Sequence, residues 1–313
     1  LPEACRHNLP DWLAAALQAS MTQQPQDFWP LAEALLQAAP LDLRVNAMKA
    51  KRPAVAAALA ASGIQTQETP WSPWGLRVAG KPRLAHLPAW QQGLVEVQDE
   101  GSQLLALLTQ ARRGQLVVDF CAGAGGKTLA LGAMMRGAGR LYAFDASAHR
   151  LQGLQPRLAR SGLGNVHTAA IAHERDARLN ALQGKADAVL VDAPCSGLGT
   201  LRRAPGLKWR TRPEDIARLA EQQFSITQSA ARLVKPGGRL VYATCSLLPQ
   251  ENEAVAQALS NALPGFAPLH AGDVLAAAKV PQAARLTTEA GHLRLWPHLH
   301  GTDGFFAAVW QRR

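Results

Sequence analysis

The 313-residue sequence predicts an α/β fold, an open parallel sheet with helices on both faces behind a smaller α/β module. Three observations predict it. From residue 101 onward, short apolar runs alternate with amphipathic ones, as strands alternate with helices in a crossover-connected sheet. A glycine run, AGAGG, directly follows the first of those apolar runs and opens a helical pattern. Residues 66–93 are rich in Pro, Gly and Trp and set this repeating part apart from what precedes it. At 48% hydrophobic and 18% charged, the chain has material for a sizeable core, which excludes a disordered or fibrous protein.

Taken in order, residues 10–39 hold two amphipathic helical patterns, one opening at Asp11 and one near Asp27 and Pro30. LDLRVNAMK reads as a strand, and RPAVAAALAAS as a helix that Gly63 stops. WSPWGLRV reads as short strands around turns, so residues 1–95 form helices plus a small α/β domain, and 96–313 the larger one. In the larger domain QLVVDFC is a strand, AGAGG a turn and KTLALGAMM a helix. RLYAFDA, NVHTAAI, ADAVLVDA and GRLVYATC are the next four strands, with helices over Ala148–Ser161 and Pro213–Leu233 between them. The fifth strand follows a turn at Lys235-Pro236-Gly237-Gly238, and HLRLWP with GFFAAVWQR predicts a closing hairpin.

No apolar run approaches the ~18 residues of a membrane span, and no signal-peptide pattern opens the chain. Cys5, Cys121, Cys195 and Cys245 lie far apart with no C-x-x-C spacing, so neither a disulfide framework nor a zinc site is expected. His292, His298 and His300 have no supporting thiol or carboxylate spacing either. The expectation is a reduced, cytoplasmic protein, monomeric, binding no metal and no membrane. Because the chain starts with Leu, an upstream segment is also expected.

The formal charge is +10 and unevenly spread. Residues 1–100 hold 8 Lys/Arg against 9 Asp/Glu, and residues 101–313 hold 25 against 14. Arginine outnumbers lysine 25 to 8, which suits planar recognition of phosphates. The bland alternative is an arginine-rich proteome. The densest cluster, Arg202, Arg203, Lys208, Arg210 and Arg212, favours a polyanion partner, and Trp209 inside it could stack on a base or simply pack.

VVDFCAGAGGKT presents backbone N–H groups between a strand and a helix. It lacks the glycine at Cys121 that a Walker phosphate loop needs and the one at Thr128 that a dinucleotide fingerprint needs. What remains is a glycine turn with an acid, Asp145, twenty residues beyond Gly125, able to accept the hydroxyls of an adenosine ribose. By itself the loop fits a mere packing turn equally well.

The cysteines decide between them. A lone cysteine is ordinarily a small buried hydrophobe. Cys195 in DAPCSG and Cys245 in ATCS, however, both stand at carboxyl ends of strands, where open α/β sheets bind ligands. If those strands are neighbours, about 4.8 Å apart, the thiols flank one crevice. A helix starting at Pro249-Gln250-Glu251 would turn its positive end towards Cys245 and favour the thiolate. One reaction uses two thiols, an adenosine site and a polyanion surface together. A thiolate adds to carbon-6 of a cytosine and makes carbon-5 nucleophilic enough to take a methyl group from S-adenosyl-L-methionine. Spacing alone leaves open which thiol attacks.

Nearly end to end, through LRVNAMK, VEVQDEGSQLLALL, VDFCAGAGGKT, FDAS, LVDAPCSGLGTLRR, LVKPGGRLVYATCSLLPQENE and HGTDGFFAA, the chain resembles the Sun/Fmu (RsmB-type) RNA cytosine carbon-5 methyltransferases. The resemblance implies a Rossmann-like, seven-stranded class I methyltransferase sheet behind an RNA-recognition-like domain. It implies Cys245 as nucleophile and Cys195 as assistant in product release or proton removal. Cys121, Ala122, Gly123, Ala124, Gly125, Gly126, Lys127 and Asp145 would bind the cofactor, with Asp192 lining the same pocket. RNA, by preference small-subunit ribosomal RNA, would be the substrate; transfer RNA, or a non-catalytic role as an RNA-binding assembly factor, are the alternatives. Two departures stand out. Gly123-Ala124 replaces the family's alanine–proline pair. The family's Gly-Asp pair after the third strand is missing, leaving Asp176 as the candidate acid there and Glu174 as its alternative. The family's upstream domain, which resembles the antiterminator NusB, is not part of this chain.

Overall fold

The computed structural model describes residues 6–21 and 25–313; Cys5 lies outside the described residues. The small domain is preceded by helices that include α1 (Asp11–Ser20) and α2 (Phe28–Leu36). Leu13 and Leu17 of α1, four apart on one face, are buried. Their core is shared with Leu198, Leu201, Ile216, Leu247 and Leu248, so these helices seat on loops of the larger domain.

The small sheet contains β1 (Leu41–Val45), β2 (Thr66–Glu68), β3 (Gly75–Val78) and β4 (Val95–Val97) in the order β2-β3-β1-β4. All of its pairings are antiparallel. Helix α3 (Arg52–Ala61) covers one face, where Val55 and Leu59 meet Leu43, Val45, Leu76, Val78 and Val95. Gly63, at φ +79°, ends that helix. In WSPWGLRV only Gly75–Val78 pairs as a strand, and β4 straddles the expected boundary at residue 95. The other face carries Asp42, Arg44 and Glu96, all buried although charged. In an RNA-recognition-like sheet that face would be open; here it is packed against the larger domain.

The larger sheet holds β5 (Leu116–Asp119), β6 (Arg140–Asp145), β7 (Val166–Ala170), β8 (Ala186–Asp192), β9 (Val234–Thr244), β10 (Phe266–Leu269), β11 (Leu293–Leu295) and β12 (Phe305–Arg312). Seven strands run in the order β10-β12-β9-β8-β5-β6-β7, and β11 pairs with β12 as the expected hairpin, making eight. The five from β9 to β7 are parallel, while β12 runs antiparallel to β9. Helices α4 (Glu100–Leu107), α5 (Gly126–Met134) and α9 (Ala271–Ala277) fill one face through Leu104, Leu131 and Leu275. Helices α7 (Pro213–Ala231) and α8 (Glu253–Ala262) fill the other through Ile226, Ala230 and Leu259. Helix α6 (Ala148–Ser161) packs Leu151, Leu154 and Leu158 on Ala143 and Leu129. Sandwiched between two helical layers, β8 reads as an apolar run rather than an alternation.

Two expectations need correction. The turn Lys235–Gly238 does not precede the fifth strand but lies inside β9: Val234 pairs with Ala186 and Arg239 with Ala188, and Gly237 at φ +74° carries the bulge between them. Nor does a helix begin at Pro249. Pro249–Glu251 is a single 3₁₀ turn, and Asn252, at φ −117° and ψ −94°, breaks the chain before α8 starts at Glu253. The positive helix end expected beside Cys245 is therefore displaced along the chain. Among the described residues no helix is long and apolar enough to cross a membrane, and no three His, Cys, Asp or Glu side chains are placed to hold a metal ion.

Candidate functional site

Strands β8 and β9 are parallel neighbours with Asp192 opposite Ala243, so the loops leaving them run side by side. Cys195 and Cys245 stand at the start of those loops with their sulfurs 3.4 Å apart. The Cys195 thiol is pushed well above its usual range by its hydrogen bond to the Cys245 sulfur and by burial, so Cys195 holds its proton.

The loops are fixed by a residue that sequence reading did not single out. Glu251 is fully buried. Its Oε1 accepts from the Ser196 N–H at 2.8 Å and the Gln223 amide at 3.0 Å. Its Oε2 accepts from the Ser196 and Ser246 hydroxyls, both at 2.5 Å. Those two serines are the residues that follow the two cysteines, so one carboxylate sets both thiols. Asn252 assists by accepting from Thr244 Oγ1 at 2.5 Å and donating to the Ser246 carbonyl at 3.0 Å. Arg294 holds the Leu247 carbonyl at 2.6 Å. The Gly199 N–H donates to the Cys245 carbonyl at 2.8 Å, and a Cβ there would meet Gly304 O at 2.2 Å, so only glycine permits this approach. The sequence signal was present in ENE, six to eight residues after Cys245, but its partners could be named only from the fold.

The glycine loop lies at the carboxyl end of β5, two strands from β9. Gly123 takes φ +56° and Gly125 φ +85°, where the turn closes through Gly125 N–H to Ala122 O at 2.8 Å. A Cβ on Gly125 would meet Leu154 Cδ1 at 2.1 Å, whereas one on Gly123 would meet nothing within 4 Å. Open space therefore borders Gly123. Asp145, ending β6, accepts from Gly123 N–H and Ser147 N–H, each at 2.8 Å, and so pins the turn with one bond to each oxygen. Asp119 accepts from Thr128 Oγ1 at 2.7 Å while its Oδ1 is buried without a partner; burial pushes this carboxyl up to about 7. Burial, with Asp192, Asp119 and Asp145 nearby, also pushes the Cys121 thiol up. Lys127, in the first turn of α5, reaches Asp192 Oδ2 at 2.6 Å. That ion pair ties the glycine loop to the β8 loop that carries Cys195.

Asp176 is engaged differently. Its two oxygens accept from Ala172 N–H at 2.9 Å and Arg178 N–H at 3.0 Å, closing its own loop, and these bonds lower its pKa. Glu174 accepts from Ser225 Oγ at 2.9 Å. Neither is joined to the Asp145–Lys127–Asp192 group by a hydrogen bond.

The small domain's polar face grips the glycine loop. Arg44 Nη1 donates to Gly126 O at 2.7 Å, while Arg157 of α6, held by Glu96 of that face, donates through Nη1 to Ala124 O at 2.5 Å. Glu96 of β4 pairs with Arg157 and Arg160 of α6. Burial drops the Arg44 pKa to about 10, which still leaves it charged at neutral pH.

The basic cluster divides. The Arg202 side chain is 7% exposed and pairs with Asp303, and Arg203 pairs with Asp303 and Asp99. Burial, with Asp303 beside it, pushes Asp99 up to about 6. Lys208 is buried, its ammonium 5.6 Å from the Trp209 ring centroid. Arg210, Arg212 and Trp209, the last 61% exposed, face outwards.

With this geometry in hand, comparison with known proteins is specific. Residues 106–311 match the family model described as 16S rRNA methyltransferase RsmB/F, and residues 9–84 match the RsmF/B-like ferredoxin-like domain. The chain is 35% identical to a probable ribosomal RNA small subunit methyltransferase B of Bacillus subtilis, over 87% of this chain and 59% of that protein. It is 34% identical to its Synechocystis counterpart, over 97% of this chain and 66% of the other. The chain thus spans about 60% to 66% of the length of those two relatives. A methyltransferase homologue from Pyrococcus horikoshii superposes with a TM-score of 0.81 at 27% identity, covering 99% of this chain and 97% of that one.

Proposed function

Since this chain belongs to the RsmB/F family of 16S rRNA methyltransferases, we propose that it methylates carbon-5 of a cytosine in small-subunit ribosomal RNA through a covalent cysteine adduct. The observation that carries the reading is the pair of thiols 3.4 Å apart at the mouth of the sheet. A binding platform needs neither.

S-adenosyl-L-methionine would be held by the glycine loop from Cys121 to Lys127 and by Asp145; when bound, it supplies an electrophilic methyl on a sulfonium sulfur. The open space at Gly123, the spare lone pairs of Asp145 and the unpartnered Asp119 Oδ1 fit a polar ligand there. Cys245 attacks carbon-6 of the cytosine as thiolate, forming an S–C6 bond and placing the electron pair on carbon-5. After carbon-5 is methylated, a base removes its proton. The S–C6 bond then breaks with its electrons returning to the Cys245 sulfur. Cys195, in contact with that sulfur, assists this release. Arg210, Arg212 and Trp209 are exposed for phosphate contact and base stacking.

Removing Cys195 should strand the adduct. Cys195→Ala, incubated with S-adenosyl-L-methionine and unmodified 16S rRNA, is expected to give a slow-migrating protein–RNA band on a denaturing gel while turnover falls. Normal turnover without the band would refute its release role. Asp145→Ala takes an acceptor from two backbone N–H groups and from the ribose, and is expected to weaken S-adenosyl-L-methionine binding at least about 10-fold. Calorimetry that finds wild-type affinity would remove Asp145 from the cofactor site.

A further inference from the structure

Positive charge near the thiols is largely spoken for. Lys127 is paired with Asp192, Arg202 and Arg203 with Asp303 and Asp99, and Arg157 and Arg160 with Glu96. The carboxyl ends of the strands add Asp119, Asp145 and Glu251. Apart from Arg210 and Arg212, a second concentration of exposed positive charge lies at the opposite end of the same sheet. Parallel pairing brings the openings of β5, β6, β8 and β9 to one edge. Arg112 and Arg113 precede β5, Arg136 and Arg140 lead into β6, and Lys185 precedes β8; all five are exposed. Arg239 of β9, half-buried, has its pKa lowered by burial and by the like charge of Arg112, which places the two close together. The strand-opening segments 108–116, 134–141, 182–187 and 230–240 contain a single acid, Asp187, and Lys235 already pairs with it.

We propose that this basic edge is a second RNA-binding surface, which engages the phosphate backbone of ribosomal RNA away from the target cytosine. It rests on the reading of ribosomal RNA as substrate. Arginine dominates the edge, and guanidinium groups grip phosphate oxygens bidentately, whereas an anionic lipid surface needs no such geometry. From β9 to β6 the edge spans about 14 Å, three strand spacings, wide enough for several phosphates. It lies about 20 Å from the thiols, the length of the seven-residue β8. Only an RNA extending well past the reactive cytosine can touch both.

The test uses the triple variant Arg112→Gln, Arg113→Gln, Arg140→Gln. Its control is Lys51→Gln, Lys81→Gln, Arg83→Gln, which removes three exposed cations from the small domain. Binding is measured against salt for 16S rRNA and for a single-stranded RNA of about 10 nucleotides. The edge variant is expected to bind 16S rRNA about 10-fold more weakly near 0.15 M salt, with the slope of log K against log salt reduced by about 2 to 3. Its affinity for the short RNA, for S-adenosyl-L-methionine, and its kcat at saturating rRNA should stay as in the wild type. An unchanged slope, or an equal loss in the control variant, would overturn the proposal. Loss of binding to phosphatidylserine vesicles with rRNA binding intact would overturn it in favour of a membrane. Failure of the wild-type chain to bind rRNA would instead refute the substrate reading.

Discussion

Cys245→Ala is expected to lower methyl transfer by more than about 10⁴-fold while S-adenosyl-L-methionine still binds. Carbon-5 of a neutral cytosine is a poor nucleophile, and without addition at carbon-6 no other group in the site activates it. Cys195 does not substitute: it sits on the neighbouring loop, its sulfur 3.4 Å from the position of the missing one. Cys245→Ser should fail almost as completely, because a hydroxyl at neutral pH supplies almost no anion. Retention of substantial activity by either variant, with product formed in 5-methylcytosine, would exclude Cys245 as the nucleophile.

The second large effect is expected at Glu251. Glu251→Ala strands the Ser196 N–H, two serine hydroxyls and the Gln223 amide in a dry interior, at a cost of about 3–5 kcal/mol. Glu251→Gln keeps the shape but presents an amide N–H₂ to groups that also donate. With Oε2 replaced by nitrogen, both serine hydroxyls must turn from donating to a charged oxygen to accepting from a neutral amide, and the charge-assisted bonds that anchor the loops behind both cysteines are lost. The glutamine variant is therefore expected to fold with a lower denaturant midpoint and to lose at least about 100-fold in kcat. Its S-adenosyl-L-methionine affinity should remain near wild type, since Glu251 touches neither the glycine loop nor Asp145. A proportionate loss of cofactor binding would show that Glu251 supports the domain as a whole rather than the thiols.

The order of elements was legible because the signals were local. β8 is an apolar run, Asp145 stands twenty residues beyond Gly125, and Pro213 opens a long amphipathic helix. The closeness of the thiols was legible only conditionally, through strand adjacency, and the pairing of β8 with β9 meets that condition. What failed to show was long-range partnership. Arg202 and Arg203 read as a free basic cluster because Asp303 and Asp99 lie about a hundred residues away on either side. The buried polar face of the small sheet was equally hidden: nothing in LDLRV says that Arg44 will reach the carbonyl of Gly126. β10 escaped notice because FAPL is short and contains a proline, which an edge strand tolerates. The 3₁₀ turn at Pro249 was hidden because a proline followed by two helix formers reads as a helix start.

The most direct test of the account is transfer of labelled methyl from S-adenosyl-L-methionine to unmodified 16S rRNA, followed by nucleoside analysis. The account predicts label in 5-methylcytosine. Label in any other nucleoside, label on transfer RNA alone, or no transfer by a chain that binds both cofactor and rRNA would contradict it.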